Sequence, residues 1–233
     1  MDAKHLSKRL QKVAEFVPKN ARIADIGSDH AYLPVNLALN HIIDFGIAGE
    51  VVRGPYENAY NEIKAQNLEH AIIPRLADGL AAILPSDKID TITICGMGGT
   101  LIRKILNEGK EKLVNHPLLI LQPNVGSDVL RQWLFEHQYE ITNEVILDED
   151  QHIYEILVAQ YNPQVKSLSP EDLQFGVYLR HEKNAAYIKK WQKEIQKNND
   201  AIEQMKKAKK VPLNRIKELE NKNQYIKEVL NND

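Results

Sequence analysis

The chain has 233 residues, 43% of them hydrophobic and 27% charged, which suits one medium domain with an appendage or two small ones. Its apolar runs are too short to cross a membrane, the stretch MDAKHLSKRLQKVAEF lacks the apolar core of a signal peptide, and the lone Cys95 excludes an internal disulfide framework or a cysteine-rich zinc site. A cytoplasmic, metal-free chain is therefore expected, and its net charge of −2 is split unevenly, with 15 Lys+Arg against 22 Asp+Glu in residues 1–163 and 15 against 10 in residues 164–233.

An acidic body with a basic tail points to a polyanionic partner held by the tail; a lysine-rich solvated helix is the plainer reading of the same charges. In chain order, Leu6, Leu10, Val13, Ala14 and Val17 fall at helical spacing over residues 3–17, closed by Pro18. "RIADIGS" predicts a strand and Tyr32 to Asn40 a helix. "FGIAGEV" and "ENAYNEIKAQNLE" repeat the pair, "IIPRLAD" is a weak strand, and a short helix is expected around Leu80–Leu84. "DTITICGMGG" is a strand of β-branched residues followed by the helix "TLIRKILNEGKEKL"; "PLLILQPNV" and "DVLRQWLFEHQ" form a further strand and helix. "YEITNEVILDEDQHIYEILVAQYN" reads as an antiparallel pair of strands.

This rhythm predicts an α/β fold, a mostly parallel sheet covered on both faces. The antiparallel end is the arrangement of the Rossmann-like class I methyltransferases rather than of the dehydrogenases. After "YNPQVKSLSP", Ser169 and Pro170 start a helix. Leu173, Val177, Asn184, Ile188, Trp191, Ile195, Ile202 and Met205, then Leu213, Ile216, Glu220, Asn223, Ile226 and Leu230, predict two long helices in an antiparallel coiled-coil hairpin, with imperfect polar seam positions and a third packing partner in the N-terminal helix or the sheet. The expected domains are residues 1–163 and 164–233.

Ligands of such sheets bind beyond the carboxyl ends of the strands. In "DIGSDHAYLP", Gly27 allows a tight turn, but Asp29 and His30 stand where a dinucleotide loop needs glycine. An acid beside a pyrophosphate is an electrostatic conflict, whereas the ammonium and sulfonium of S-adenosylmethionine suit Asp25 and Asp29. Glu50 lies 23 residues beyond Gly27, near the usual place of a ribose-reading acid. Asp78 and Gly79 suit an adenine edge, though Asp-Gly pairs are often plain turns. "CGMGG", Cys95 to Gly99, has three glycines after a strand and suggests a floor where donor and acceptor meet the backbone. Cys95 reads as a small buried hydrophobe rather than a nucleophile. "QPN" offers Gln122 and Asn124 to the acceptor.

The motifs "DIGSDHAYLP", "AGEVVRGPYENA", "ADGL", "CGMGGTLIRKIL" and "LILQPNVGSDVLRQWL", in this order, resemble the bacterial tRNA (adenine(22)-N1)-methyltransferase family across essentially the whole chain. The resemblance implies S-adenosyl-L-methionine as donor, an adenine of the tRNA D-arm as acceptor, and a cofactor pocket lined by Gly27, Asp29, His30, Glu50, Asp78, Gly79, Gly96, Met97 and Gly98. The flanking Asp25, Ser28, Leu33, Val51 and Cys95 are assigned to the same pocket. Asp29 is the expected catalytic carboxylate, with a donor-binding role as its alternative, and Tyr32 and Asn124 are candidates to position the acceptor. Lys189, Lys190, Lys193, Lys197, Lys206, Lys207, Lys209, Lys210 and Arg215 are the expected RNA contacts of a monomeric enzyme. Competing readings are a small-molecule or protein methyltransferase whose hairpin dimerises, and an RNA-binding protein whose cofactor fold has lapsed. A nicotinamide enzyme ranks last because the glycines are missing.

Overall fold

The structure, a computed structural model, describes residues 2–231; the last two residues of the expected tail domain lie outside them. Seven strands form one sheet: β1 (Ala21–Ile26), β2 (Ile43–Glu50), β3 (Ile72–Leu76), β4 (Thr91–Gly98), β5 (Leu118–Val125), β6 (Tyr139–Glu149) and β7 (His152–Tyr161). Their order is β3-β2-β1-β4-β5-β7-β6. The first five run parallel; β7 is antiparallel to both β5 and β6. The expected closing hairpin is present, turning at Asp150 and Gln151, which both take positive φ as a tight two-residue hairpin turn demands.

Helices α1 (Lys8–Ala14), α2 (Tyr32–Leu39) and α3 (Arg53–Ala65) cover one face, where Val13, Leu37 and Ile63 pack against Ile23, Ile72 and Ile120. Helices α4 (Gly99–Glu108) and α5 (Ser127–Glu136) cover the other, bringing Ile102, Leu106, Leu130 and Trp133 onto Ile92, Ile94 and Leu121. Three elements are shorter than the sequence predicts. The first helix begins only at Lys8, capped by the Ser7 hydroxyl, although Ala3 is still buried. The segment near Leu80 is a single 3₁₀ turn, Gly79–Ala82. The fourth helix stops at Gly109, where a side chain would collide with Leu80.

The tail departs most. Instead of one long first helix there are α6 (Pro170–Phe175), α7 (Leu179–Glu182) and α8 (Ala185–Lys206), followed by α9 (Leu213–Asn231). Ser169 caps α6 as expected, exchanging hydrogen bonds with Asp172. The breaks fall at Gly176, with φ of 100°, and Lys183, with φ of 42°. A Cβ on Gly176 would lie 2.8 Å from Glu144 Oε2 and 3.1 Å from Arg131 Nη2, so the chain crosses this ion pair at the tail's one glycine.

That pair belongs to a buried network. Arg131 on α5 donates to Glu144 on β6 (2.6 Å) and Glu155 on β7 (3.1 Å) and to the carbonyl of Leu173. Glu144 accepts from the Tyr178 N–H at 2.8 Å, and Lys190 of α8 pairs with Glu155. Beside it, Ile146 of β6 packs with Phe175, Leu179, Tyr187, Trp191, Ile226 and Val229, so the sheet is the third partner of the helical hairpin. Tyr187 is buried there and Leu219 is buried with Ile202 and Ile216 farther along the hairpin, whereas Ile188, Leu213 and Glu220 of the predicted seam are exposed.

Candidate active site

The strand order reverses between β1 and β4, the position where an open sheet of this kind forms a ligand crevice. A cavity of about 390 Å³ opens there. It gathers Asp25, Gly27, Ser28, Asp29, Leu33, Glu50, Cys95, Gly96, Met97 and Asn124 from the sequence-predicted set. Arg9, Leu10, Pro55 and Tyr154 complete the lining.

At the end of β1, Gly27 takes φ of 72°, and Asp29, His30 and Ala31 follow at 28°, 62° and 56°. Asp and His tolerate this region better than most side chains, so the loop keeps a left-handed path without further glycines. A Cβ on Gly27 would strike the Met97 methyl group. Glu50, at the tip of β2, accepts the Asp29 N–H at 2.7 Å, which ties the loop to the neighbouring strand. Burial raises the Glu50 carboxyl above its ordinary range, and the Asp29 N–H only partly opposes this. The Asp29 carboxylate itself takes no part in that bond and is 77% exposed.

Asp25 lies beneath the loop, buried, accepting from the hydroxyls of Ser28 (2.6 Å) and Thr93 (2.6 Å). Burial pushes its carboxyl up to about 6 despite those two donors. Burial, reinforced by Asp25, likewise pushes the Cys95 thiol up. A thiol held in its neutral form is a poor nucleophile, in keeping with the packing role expected for Cys95.

On the β4 side, Gly96 takes φ of 77°. Its N–H donates to Gln122 Oε1 at 2.9 Å and its carbonyl accepts from Asn124 Nδ2 at 2.8 Å, so the "QPN" residues clamp the "CGMGG" turn from β5. The third glycine of that loop serves packing, since a side chain on Gly99 would collide with the Gly126 carbonyl. His30 and Tyr32 stack on each other, ring centroids 5.1 Å apart, beside the loop. Val51 is exposed after β2. Asp78 and Gly79 line a separate cavity of about 200 Å³ against Ile105 and Glu108, and Gly98 ends β4.

Sequence reading missed Arg9, Thr93 and Tyr154. Arg9 donates to Gln122 Oε1, and its guanidinium lies 5.3 Å from the centre of the Tyr154 ring. Glu149 on β6 fixes the helix that carries it, accepting the N–H groups of Lys8 and Arg9 at 2.6 and 3.1 Å. An amphipathic helix marks Arg9 and an alternating strand marks Tyr154 as packing, and only the fold brings them to the crevice; Thr93 stays buried beneath Asp25.

Three acids and one cation around glycine turns fit a zwitterionic, sulfonium-bearing ligand and repel a pyrophosphate. With the antiparallel end of the sheet, this cavity defines a class I, S-adenosylmethionine-dependent methyltransferase. Comparison with known proteins narrows the class: the model of the tRNA (adenine(22)-N(1))-methyltransferase family matches residues 23–231. The chain belongs to that family. It is 42% identical over 99% of both chains to the tRNA (adenine(22)-N(1))-methyltransferase of Bacillus subtilis. A Streptococcus pneumoniae protein assigned as a tRNA (m1A22) methyltransferase, solved in complex with S-adenosyl-L-methionine, superposes with a TM-score of 0.89 at 45% identity, covering 97% of this chain and 100% of its own. The Mycoplasma capricolum family member solved with S-adenosyl-homocysteine gives a TM-score of 0.84 at 29% identity over 97% of each chain.

The basic residues of the tail are not equivalent. Lys189 pairs with Asp148 and Lys190 with Glu155, while Lys193 donates to the Gln151 carbonyl at 3.0 Å, so all three brace the helix against the sheet. Lys197, Lys206 and Arg215 pair with glutamates on their own helices. Lys207, Lys209 and Lys210 are exposed at the hairpin turn. No helix among the described residues is long and apolar enough to cross a membrane, and no cluster of three His, Cys, Asp or Glu among them is placed to hold a metal.

Proposed function

We propose that the chain methylates N1 of adenine 22 in tRNA, with residues 1–163 carrying the chemistry and residues 164–233 gripping the RNA. The observation that carries this reading is the Glu50–Asp29 hydrogen bond, which closes an acidic turn around Gly27 in the cavity that the clamped Gly96 turn also lines. Glu50 is suited to the donor's ribose, whereas Asp78 and Gly79 line the separate recess beside Ile105. Arg9 is suited to the donor's carboxylate, and Asp25, beneath the Gly27 turn, to its ammonium. Bound there, S-adenosylmethionine supplies an electrophilic methyl group on a positively charged sulfur.

Adenine N1 has an in-plane lone pair and needs no prior deprotonation, so the protein's contribution is mainly orientation. That edge is hidden in a paired stem, and the base must leave it before reaction. The methylated ring is cationic. Asp29, exposed and lining the cavity, is the carboxylate suited to favour this charge as it develops and to accept a proton from the exocyclic amine. Asn124 acts by holding the Gly96 carbonyl, and so fixes the floor on which the acceptor rests.

The test uses purified protein, labelled S-adenosylmethionine and unmodified tRNA transcripts, with nucleoside analysis of the product. Asp29→Ala keeps the N–H that Glu50 accepts, so the expected result is retained donor binding with turnover reduced at least tenfold. Glu50→Gln should instead weaken donor binding. Donor binding without methylation of any transcript rejects the tRNA reading; loss of donor binding in Asp29→Ala reduces that carboxylate to a donor ligand.

A further inference from the structure

A second cavity, about 560 Å³, lies between the sheet and the helical hairpin. It adjoins the methyl-transfer cavity, because Asn124 lines both. Its walls come from the end of β5 and start of α5 (Val125, Asp128), from Gln174 of α6 and Ile153 of β7, and from Glu194 and Lys222 of the hairpin. Resting on the function proposed above, we infer that this cavity receives a nucleobase next to the target adenine once the local stem is opened.

Charge decides against the other ligand classes. The cations in the wall, Arg131, Lys190 and Lys222, are each paired with Glu144 and Glu155, with Glu155, and with Glu194. None is free for a phosphate, and the carboxylates so occupied are not free for a metal ion. The amide of Gln174 and the carboxylate of Asp128 offer a donor and acceptors together, beside the apolar surfaces of Val125, Ile153 and Trp191. A flat, neutral group with a hydrogen-bonding edge fits this wall, and a purine or pyrimidine is such a group. Position favours a neighbour of the target: extrusion of one base unstacks those beside it, and a recess next to the reaction cavity would hold the disrupted strand open.

The experiment is a double-mutant cycle between protein and RNA. On the protein side, Val125→Trp and Gln174→Trp each fill the recess without touching the buried ion network. On the RNA side, transcripts are made abasic at the nucleotide before or after adenine 22. Each tryptophan variant should raise KM for intact tRNA about tenfold, the scale of displacing one bound base, with donor affinity and melting temperature unchanged. On the transcript abasic at the occupied position the variants should lose no more than wild type. Unchanged KM in variants that fold, or penalties that multiply on both abasic transcripts, overturn the inference. A wild-type protein that binds the donor and methylates no transcript rejects the underlying function instead. Should Val125→Trp melt early, Gln174→Trp decides alone.

Discussion

Burial lifts the Asp25 carboxyl from its ordinary 3.8 to about 6, against the pull of the Ser28 and Thr93 hydroxyls. A folded-state value raised above the unfolded one means that the folded chain binds this proton more tightly. The associated stability is fully present below 3.8 and is lost as pH rises through about 6. The full swing is about 3 kcal/mol at 1.36 kcal/mol per unit. Asp25→Asn keeps partners for both hydroxyls and cannot ionise, so chemical denaturation between pH 4 and 7 should show this component of the slope removed. Gly27 makes a different demand. Its φ of 72° and the Met97 methyl group in the place of a Cβ leave no room for alanine, and Gly27→Ala should cost about 1–3 kcal/mol of stability. Calorimetric titration should also find donor binding weakened by more than tenfold, because Met97 must move into the cavity.

The hairpin of α8 and α9 has an amide ladder built on the buried Asn198 and Asn223: Asn198 donates to Asn223, and Asn223 to the exposed Asn199, both at 2.8 Å. From sequence, Asn223 looks like a flaw in an apolar seam; folded, it meets a matching amide, as a register-fixing pair does in coiled coils. Asn223→Leu leaves Asn198 buried without its acceptor and should lower stability by about 1–3 kcal/mol. Asn198→Leu/Asn223→Leu together should recover that loss in thermal melts. Elements with strong periodicity were legible at this scale, since the alternating strands, the βα rhythm and the Ser169 cap are set by local pattern. The breaks at Gly176 and Lys183 were not, because the cause of the first, the Arg131–Glu144 pair, comes from segments more than 30 residues away. Gly27, Asp29, Glu50 and Gly96 were legible for the same reason as the strands: each sits next to the end of its own strand. Arg9 and Tyr154 reach the cavity from the helix and strand at the two ends of the sheet domain, and no spacing rule connects them.

The body and tail meet at charges sealed from water, and this sets the lysines that brace the tail apart from those exposed at its far turn. Arg131, Glu144 and Glu155 are at most 4% exposed. Burial pulls the Glu155 carboxyl up, yet Lys190 and Arg131 reverse this and hold it at about 2. Its contribution to stability is therefore present above its ordinary 4.5 and lost as pH falls toward 2. Removing one member strands the others, so Glu144→Ala should destabilise by about 3–5 kcal/mol, and Lys190→Gln should lower the melting temperature as well. RNA affinity at fixed folding should respond weakly to Lys189→Gln or Lys190→Gln, since these cations already face carboxylates. Lys207, Lys209 and Lys210, exposed at the far turn, should behave in the opposite way. Replacing all three with Gln should leave the melting curve in place and raise KM for tRNA at low salt. If the three lysines neutralise phosphates, the slope of log KM against log salt should fall by about 2–3, at roughly 0.7–0.9 for each phosphate no longer neutralised. An unchanged slope with unchanged KM would move the RNA path from the turn to another face of the hairpin. Loss of affinity without a slope change would mean that the turn reads bases and not backbone.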